Sequence, residues 1–137
     1  MERLVMTRTV KWGDCDPAGI LYTPRVFDYM VEAVEAWFRD VGGIDWMTLI
    51  AEGLGAPTVH TAVDFRTPMA PNLVLNVSVL LDAVGGSSLA FRIVGDDAGG
   101  TRYFEGKLVS VVIDFTTRRP VPIPAALRAR AEAYAAL

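Results

Sequence analysis

The chain opens on an alternating segment. Between Leu4 and Trp12, Leu4, Met6, Val10 and Trp12 share one face of an extended run while Thr7, Thr9 and Lys11 share the other, which predicts a half-buried strand whose apolar face is broken by Arg8. From Pro24 to Asp40 the period becomes helical. Phe27, Met30, Val31, Val34, Phe38 and Val41 recur at helical spacing, and Val26, Tyr29, Ala33, Ala36 and Trp37 widen the arc until only Arg25, Asp28, Glu32, Glu35 and Arg39 remain for a narrow polar stripe. A helix apolar around most of its girth is expected to be enclosed, and Gly42-Gly43 ends it. Ile44 to Glu52 predicts a short second helix on Trp46, Leu49 and Ile50. Past Pro57 the alternation returns, over Thr58 to Arg66, Leu73 to Val84, Leu89 to Val94 and Thr101 to Phe115, with a hairpin signal at Gly85-Gly86-Ser87-Ser88 and a second turn at Asp96 to Gly100. Pro120, Pro122 and Pro124 stop the strands, and Ala125 to Leu137 predicts a terminal amphipathic helix. This order gives an α+β domain in which an antiparallel sheet curls around one long central helix. A long apolar strand left at a sheet edge would pair with a second copy, so a homo-oligomer is expected.

Composition narrows the setting. At 137 residues the chain makes one domain, 1–137, large enough for a core without staples. Its 52% apolar content and a mean hydropathy of +0.32 imply much buried surface. A net charge of −3 gives nothing global to draw nucleic acid or anionic lipid. No apolar run reaches the length of a membrane span, and Met1 to Arg8 lacks the core of a signal peptide, so a cytoplasmic protein is expected. One Cys and one His offer neither a disulfide nor a usual zinc ligand set, so no metal and no cofactor is expected.

Chemistry concentrates between the first strand and the long helix. Gly13-Asp14-Cys15-Asp16-Pro17-Ala18-Gly19-Ile20-Leu21-Tyr22-Thr23-Pro24 sets two carboxylates in a Gly/Pro frame just before a helix start. Thr23-Pro24 reads as N-cap and first helical residue, and the free amides of a helix start favour a developing negative charge. A carboxylate beside such an end suits acyl transfer. Asp in such a loop also serves turn geometry, so both readings stand at this level. Cys15, with no His near it in sequence, reads as an inert thiol.

The segment Asp14 to Pro24 resembles the signature of the 4-hydroxybenzoyl-CoA thioesterase family, and Val63 to Pro68 and Asp114 to Pro124 are similar to further family segments. The resemblance implies a hotdog fold, a dimer or tetramer, an acyl-CoA substrate and hydrolysis of its thioester without a cofactor. It implies Asp16 as nucleophile or general base, and the backbone N–H of Thr23 as donor to the thioester oxygen. It places an acyl pocket between subunits, with Tyr22, Val31, Thr58 and His60 as candidates. Val31 stands where the best-known member carries an Asp for a phenolic hydroxyl, which implies a less polar acyl group here. Coenzyme A would meet the Gly86-Ser87-Ser88 turn and Arg118-Arg119, with Arg92, Arg102 and Lys107 as other cations. A hotdog hydratase would want a His beside the Asp, and none is near Asp16 in sequence. The reading from a different class is a non-catalytic acyl-CoA binding or regulatory module using the same pocket.

Overall fold

Five of the alternating segments form one antiparallel sheet in a computed structural model that describes residues 1–137. The chain runs β1 (Val5–Thr9), α1 (Arg25–Asp40), α2 (Trp46–Ala51), β2 (Leu54–Gly55), β3 (Thr58–Phe65), β4 (Val74–Val84), β5 (Ser88–Asp96), β6 (Arg102–Val111), β7 (Ile113–Asp114) and α3 (Ala125–Ala135). The sheet order is β1-β4-β5-β6-β3, and β2 with β7 makes a separate two-stranded ribbon. The fold is the expected hotdog arrangement.

Alternation decides which side chains go inward. Leu75, Val77, Val79 and Leu81 of β4 and Leu89, Phe91 and Ile93 of β5 are buried, and α1 lays Tyr29, Met30, Ala33, Val34, Trp37 and Phe38 into the same core. Trp37 is the junction, with edge-on contacts to Phe38, Phe91 and Tyr134 at 5.4, 5.0 and 5.8 Å. It thereby ties α1 to β5 and α3, each such pair adding about 0.5–1.5 kcal/mol beyond its buried area. Gly106 on β6 leaves room for the buried end of Met30, which a Cβ there would overlap. Tyr134 fastens α3 to the sheet: its hydroxyl donates to the Val79 carbonyl and accepts the Leu4 N–H at 2.8 Å. No helix is long and apolar enough to cross a membrane.

Four expectations change. Trp12 does not continue β1; the backbone turns into a 3-10 segment at Trp12–Asp14, and the indole is 85% exposed. The segment from Thr101 to Phe115 is not one strand, since the ladder breaks at Val112, whose N–H goes to the Ser87 carbonyl, and β7 then pairs with β2. That long strand is interior, between β5 and β3. The free edges are β1 and β3, and every residue of β3 except Val63 is exposed. Val31 does not face the core; it falls on the outward stripe of α1 with Asp28, Glu35 and Arg39 and is 38% exposed.

Candidate active site

The loop from Gly13 to Pro24 folds back on itself as a narrow ladder. Cys15 bridges Leu21, the Asp16 N–H reaches the Ile20 carbonyl at 3.0 Å, and the Tyr22 N–H reaches the Asp14 carbonyl at 2.9 Å. The reversal between them needs Gly19, whose φ of +79° is unfavourable for other residues. A third bond, from the Leu21 N–H to the Met69 carbonyl at 2.8 Å, anchors the ladder to the body of the protein.

The two carboxylates of this loop have different surroundings. Asp14 Oδ2 accepts the Tyr29 hydroxyl at 2.6 Å and the Lys11 N–H at 3.2 Å, and Oδ1 faces the Arg25 guanidinium at 3.7 Å. Burial alone would push this carboxyl up, but the Tyr29 and Lys11 hydrogen bonds and the charges of Arg8 and Arg25 prevail and hold it below its ordinary value. Asp16 Oδ1 accepts only the Ala18 N–H, at 2.9 Å, and Oδ2 has no protein partner. Asp16 borders an open depression of about 510 Å³ with Trp12, Gly13, Cys15, Pro17, Gly19 and Pro71. Cys15 sits in the same wall, its Sγ donating to the Lys11 carbonyl at 3.6 Å. Burial first, and then the charges of Asp14 and Asp16, push its thiol up, which keeps it protonated.

At the start of α1 the Thr23 side chain does not cap. Pro24 already has helical backbone angles (φ −63°, ψ −20°), so the turn closes through carbonyls: Arg25, Val26 and Phe27 donate to Tyr22, Thr23 and Pro24. The Thr23 N–H is left with no intramolecular acceptor. Thr23 lines a depression of about 260 Å³ with Ile20, Leu21, Phe65, Arg66, Pro68 and Met69.

The expected acyl-pocket residues divide. Val31 and Thr58 meet in a cavity of about 370 Å³ walled by Trp46, Leu49, Ile50, Ile113 and Phe115. Arg118 is its only charged side chain, stacked on the Phe115 ring at 4.5 Å. Tyr22 and His60 do not line this cavity; Tyr22 is exposed beside the loop ladder, and His60 is exposed on edge strand β3. Val31 lies six residues into α1, about 9 Å along the axis from its first residue Arg25, and Thr23 precedes that start. Within one chain, therefore, the Asp16 depression, the Thr23 amide and the Val31–Thr58 cavity are distinct.

The expected coenzyme A contacts also divide. Arg118 holds a left-handed backbone (φ +64°) in a turn organised by Asp114, whose side chain accepts the Thr116 and Thr117 N–H groups; Arg119 contributes its carbonyl there. The Gly86-Ser87-Ser88 turn is tied elsewhere. Arg128 donates to the Gly85 and Gly86 carbonyls at 2.7 and 3.0 Å, and the Gly86 carbonyl also takes the Ile123 N–H. Arg92 and Arg102 are engaged with Asp82, Asp96 and Glu105 on the outer face of the sheet. Lys107 forms no ion pair and borders a depression beside that network. Sequence reading missed the Asp14–Tyr29 bond and the cavity role of Trp46 and Phe115, because a helical apolar period marks Tyr29 and Trp46 as core and says nothing of a polar tip.

The thioesterase-like superfamily profile matches residues 10–131. A 1,4-dihydroxy-2-naphthoyl-CoA hydrolase from Picosynechococcus sp. is 39% identical over 63 residues, which are 45% of this chain and only 42% of that protein's length. A thioesterase superfamily structure from Jannaschia sp. CCS1 superposes with a TM-score of 0.87 at 30% identity, over 96% of this chain and 92% of that one. A 1,4-dihydroxy-2-naphthoyl-CoA thioesterase from Synechocystis superposes with a TM-score of 0.87 at 20% identity, over 95% and 96% of the two chains, a likeness of fold.

Proposed function

The chain belongs to the thioesterase-like superfamily, and from that membership we propose that it hydrolyses an acyl-CoA thioester to a free acid and coenzyme A, with Asp16 as the reacting carboxylate. The observation that carries this reading is the contrast between the two loop carboxylates. Asp14 has its oxygens committed to Tyr29, Lys11 and Arg25, whereas Asp16 lines an open depression and leaves Oδ2 without a protein partner, seven residues before an amide with no acceptor. Membership is broader than the 4-hydroxybenzoyl-CoA group that the loop resembles, and Val31 in an apolar cavity favours an acyl group without a phenolic hydroxyl.

Two routes use the same atoms. As nucleophile, Asp16 attacks the thioester carbonyl, the Thr23 N–H takes up the oxyanion, and collapse expels the coenzyme A thiolate to leave a mixed anhydride that water cleaves. As general base, Asp16 removes a proton from water, the hydroxyl adds to the carbonyl, and the thiolate leaves with that proton. Both balance with water alone. Removing one oxyanion donor typically costs about 3–4 kcal/mol of barrier. The separation of the depressions within one chain supports a site completed by a second copy across β3, where Val59 and Phe65 are 60% and 46% exposed at an unpaired edge. The single free cysteine suits a reducing, cytoplasmic setting.

The test follows free thiol release from aryl-, arylacetyl- and short to medium aliphatic acyl-CoAs, with wild type beside Asp16→Asn. Asn keeps the size and removes the charge, and we expect a folded variant slowed by a factor on the order of a thousand. Equal rates would remove Asp16 from the chemistry. A wild type that binds these thioesters and turns none over would replace the enzyme by an acyl-CoA binding module.

A further inference from the structure

We propose that Tyr29, Asp14 and Arg8 are positioning residues: a latch between β1, the Asp16 loop and α1 that holds the Asp16 carboxylate and the Thr23 amide in one mutual geometry. The inference rests on the thioesterase reading of this site and names a part of it that touches no substrate.

The chain of contacts is continuous. Arg8, the polar break in β1, stacks its guanidinium on the Tyr29 ring at 4.5 Å and places Nη1 2.9 Å from Glu32 Oε2, so β1 grips α1 at two positions one turn apart. Tyr29 is buried, and its phenol donates to Asp14 Oδ2 at 2.6 Å, a short, charge-assisted bond. Asp14 then fixes both limbs of the loop. Its N–H and carboxylate close the turn on Lys11, and its carbonyl takes the N–H of Tyr22, the residue before Thr23. Asp16 is two residues farther along the same limb. A movement of Asp14 would therefore displace the carboxylate and the free amide together. Neither Tyr29, Asp14 nor Arg8 borders the Asp16 depression, so all three act through other residues.

Beyond the buried Leu21 side chain and its N–H bond to Met69, the tip of the loop is little restrained. Pro17, Ala18, Gly19 and Ile20 are exposed, and a Cβ added at Gly13 or Gly19 would meet nothing within 4 Å. Acyl transfer depends steeply on such geometry, a misplacement of about 1 Å costing about a hundredfold in rate.

Tyr29→Phe removes only the phenolic donor and keeps the ring beneath Arg8. We expect kcat for the best thioester to fall about ten- to a hundredfold while KM stays within about twofold. In amide exchange followed by NMR, the Tyr22 and Asp16 N–H groups should exchange about tenfold faster while those of β5 do not change. Asp14→Asn leaves an oxygen acceptor for the phenol and should recover turnover relative to Asp14→Ala. Wild-type kcat together with wild-type exchange at Tyr22 in Tyr29→Phe would overturn the latch. So would a loss of kcat accompanied by equally faster exchange throughout β4, β5 and β6, which marks a purely global role. If the wild type hydrolyses no thioester, the enzymatic reading falls on that result, and exchange at Tyr22 and Asp16 decides the latch by itself.

Discussion

The cavity between α1 and α2 makes a quantitative claim on substrate choice. Its walls are Val31, Trp46, Leu49, Ile50, Ile113 and Phe115, its volume is about 370 Å³, and Arg118 at the Phe115 ring is its one charge. If this space receives the acyl chain, each methylene that enters leaves water for an apolar wall, worth about 0.8 kcal/mol. At about 1.4 kcal/mol per factor of ten, kcat/KM should climb about fourfold for every methylene added to a straight-chain acyl-CoA, until the space is full and the slope flattens. Val31→Asp places a carboxylate in that wall. Val31 lies on an exposed stripe, so the fold should tolerate the change within about 0.5 kcal/mol. The variant should lose the length dependence and gain relative activity toward hydroxylated aryl thioesters, whose hydroxyl can donate to it. The assay is initial-rate thiol release across the homologous series for both proteins. A wild-type series that is flat or falls with length, or a Val31→Asp series with the wild-type slope, would refute the placement of the acyl group.

Two further outcomes are expected. The Asp14 carboxyl is held below its ordinary value of 3.8, so the native protein binds that proton less readily than the unfolded chain. The resulting stability is present above pH 3.8 and lost as pH falls through the lower native value. The stability gap between wild type and Asp14→Asn, measured by urea unfolding at stepped pH, should be constant near neutrality and close below that point; a gap that persists undiminished in acid contradicts this. Val59→Lys places a charge on the exposed edge strand β3 and should shift the protein toward monomer in sedimentation equilibrium, with loss of turnover. An unchanged assembly would mean that copies do not pair through β3.

Much of the architecture was legible because it follows from period alone. The alternation of Leu75, Val77, Val79 and Leu81 and the helical recurrence of Met30, Val34 and Phe38 each correspond to a buried row. The failures share a cause: period describes one element and not its neighbours. Trp12 continues the apolar alternation of β1 but lies past the last rung of the β1–β4 ladder, so nothing covers it. Val31 has the right spacing for the core, yet it falls where the helix surface meets α2 rather than the sheet. The break after β6 depends on a carbonyl of the Ser87 turn, which sequence cannot place beside Val112. In the loop, Asp14 and Asp16 are alike as letters. What separates them is Tyr29, fifteen residues on, whose hydroxyl reaches back to one and not the other.

The sheet order also bears on when the protein can assemble. Both edge strands are made before the three central ones: β1 waits for β4, with Val5 opposite Ser78, and β3 waits for β6, with Ala62 opposite Lys107. β1 cannot join the ladder until β4 has left the ribosome, nor β3 until β6 has, and such non-local pairings form late because the intervening chain must first be closed. An ordered β3 edge exists only once β6 has been made. If copies pair through β3 as proposed, synthesis itself postpones that pairing, because nascent chains on neighbouring ribosomes have no ordered β3 edge by which to join.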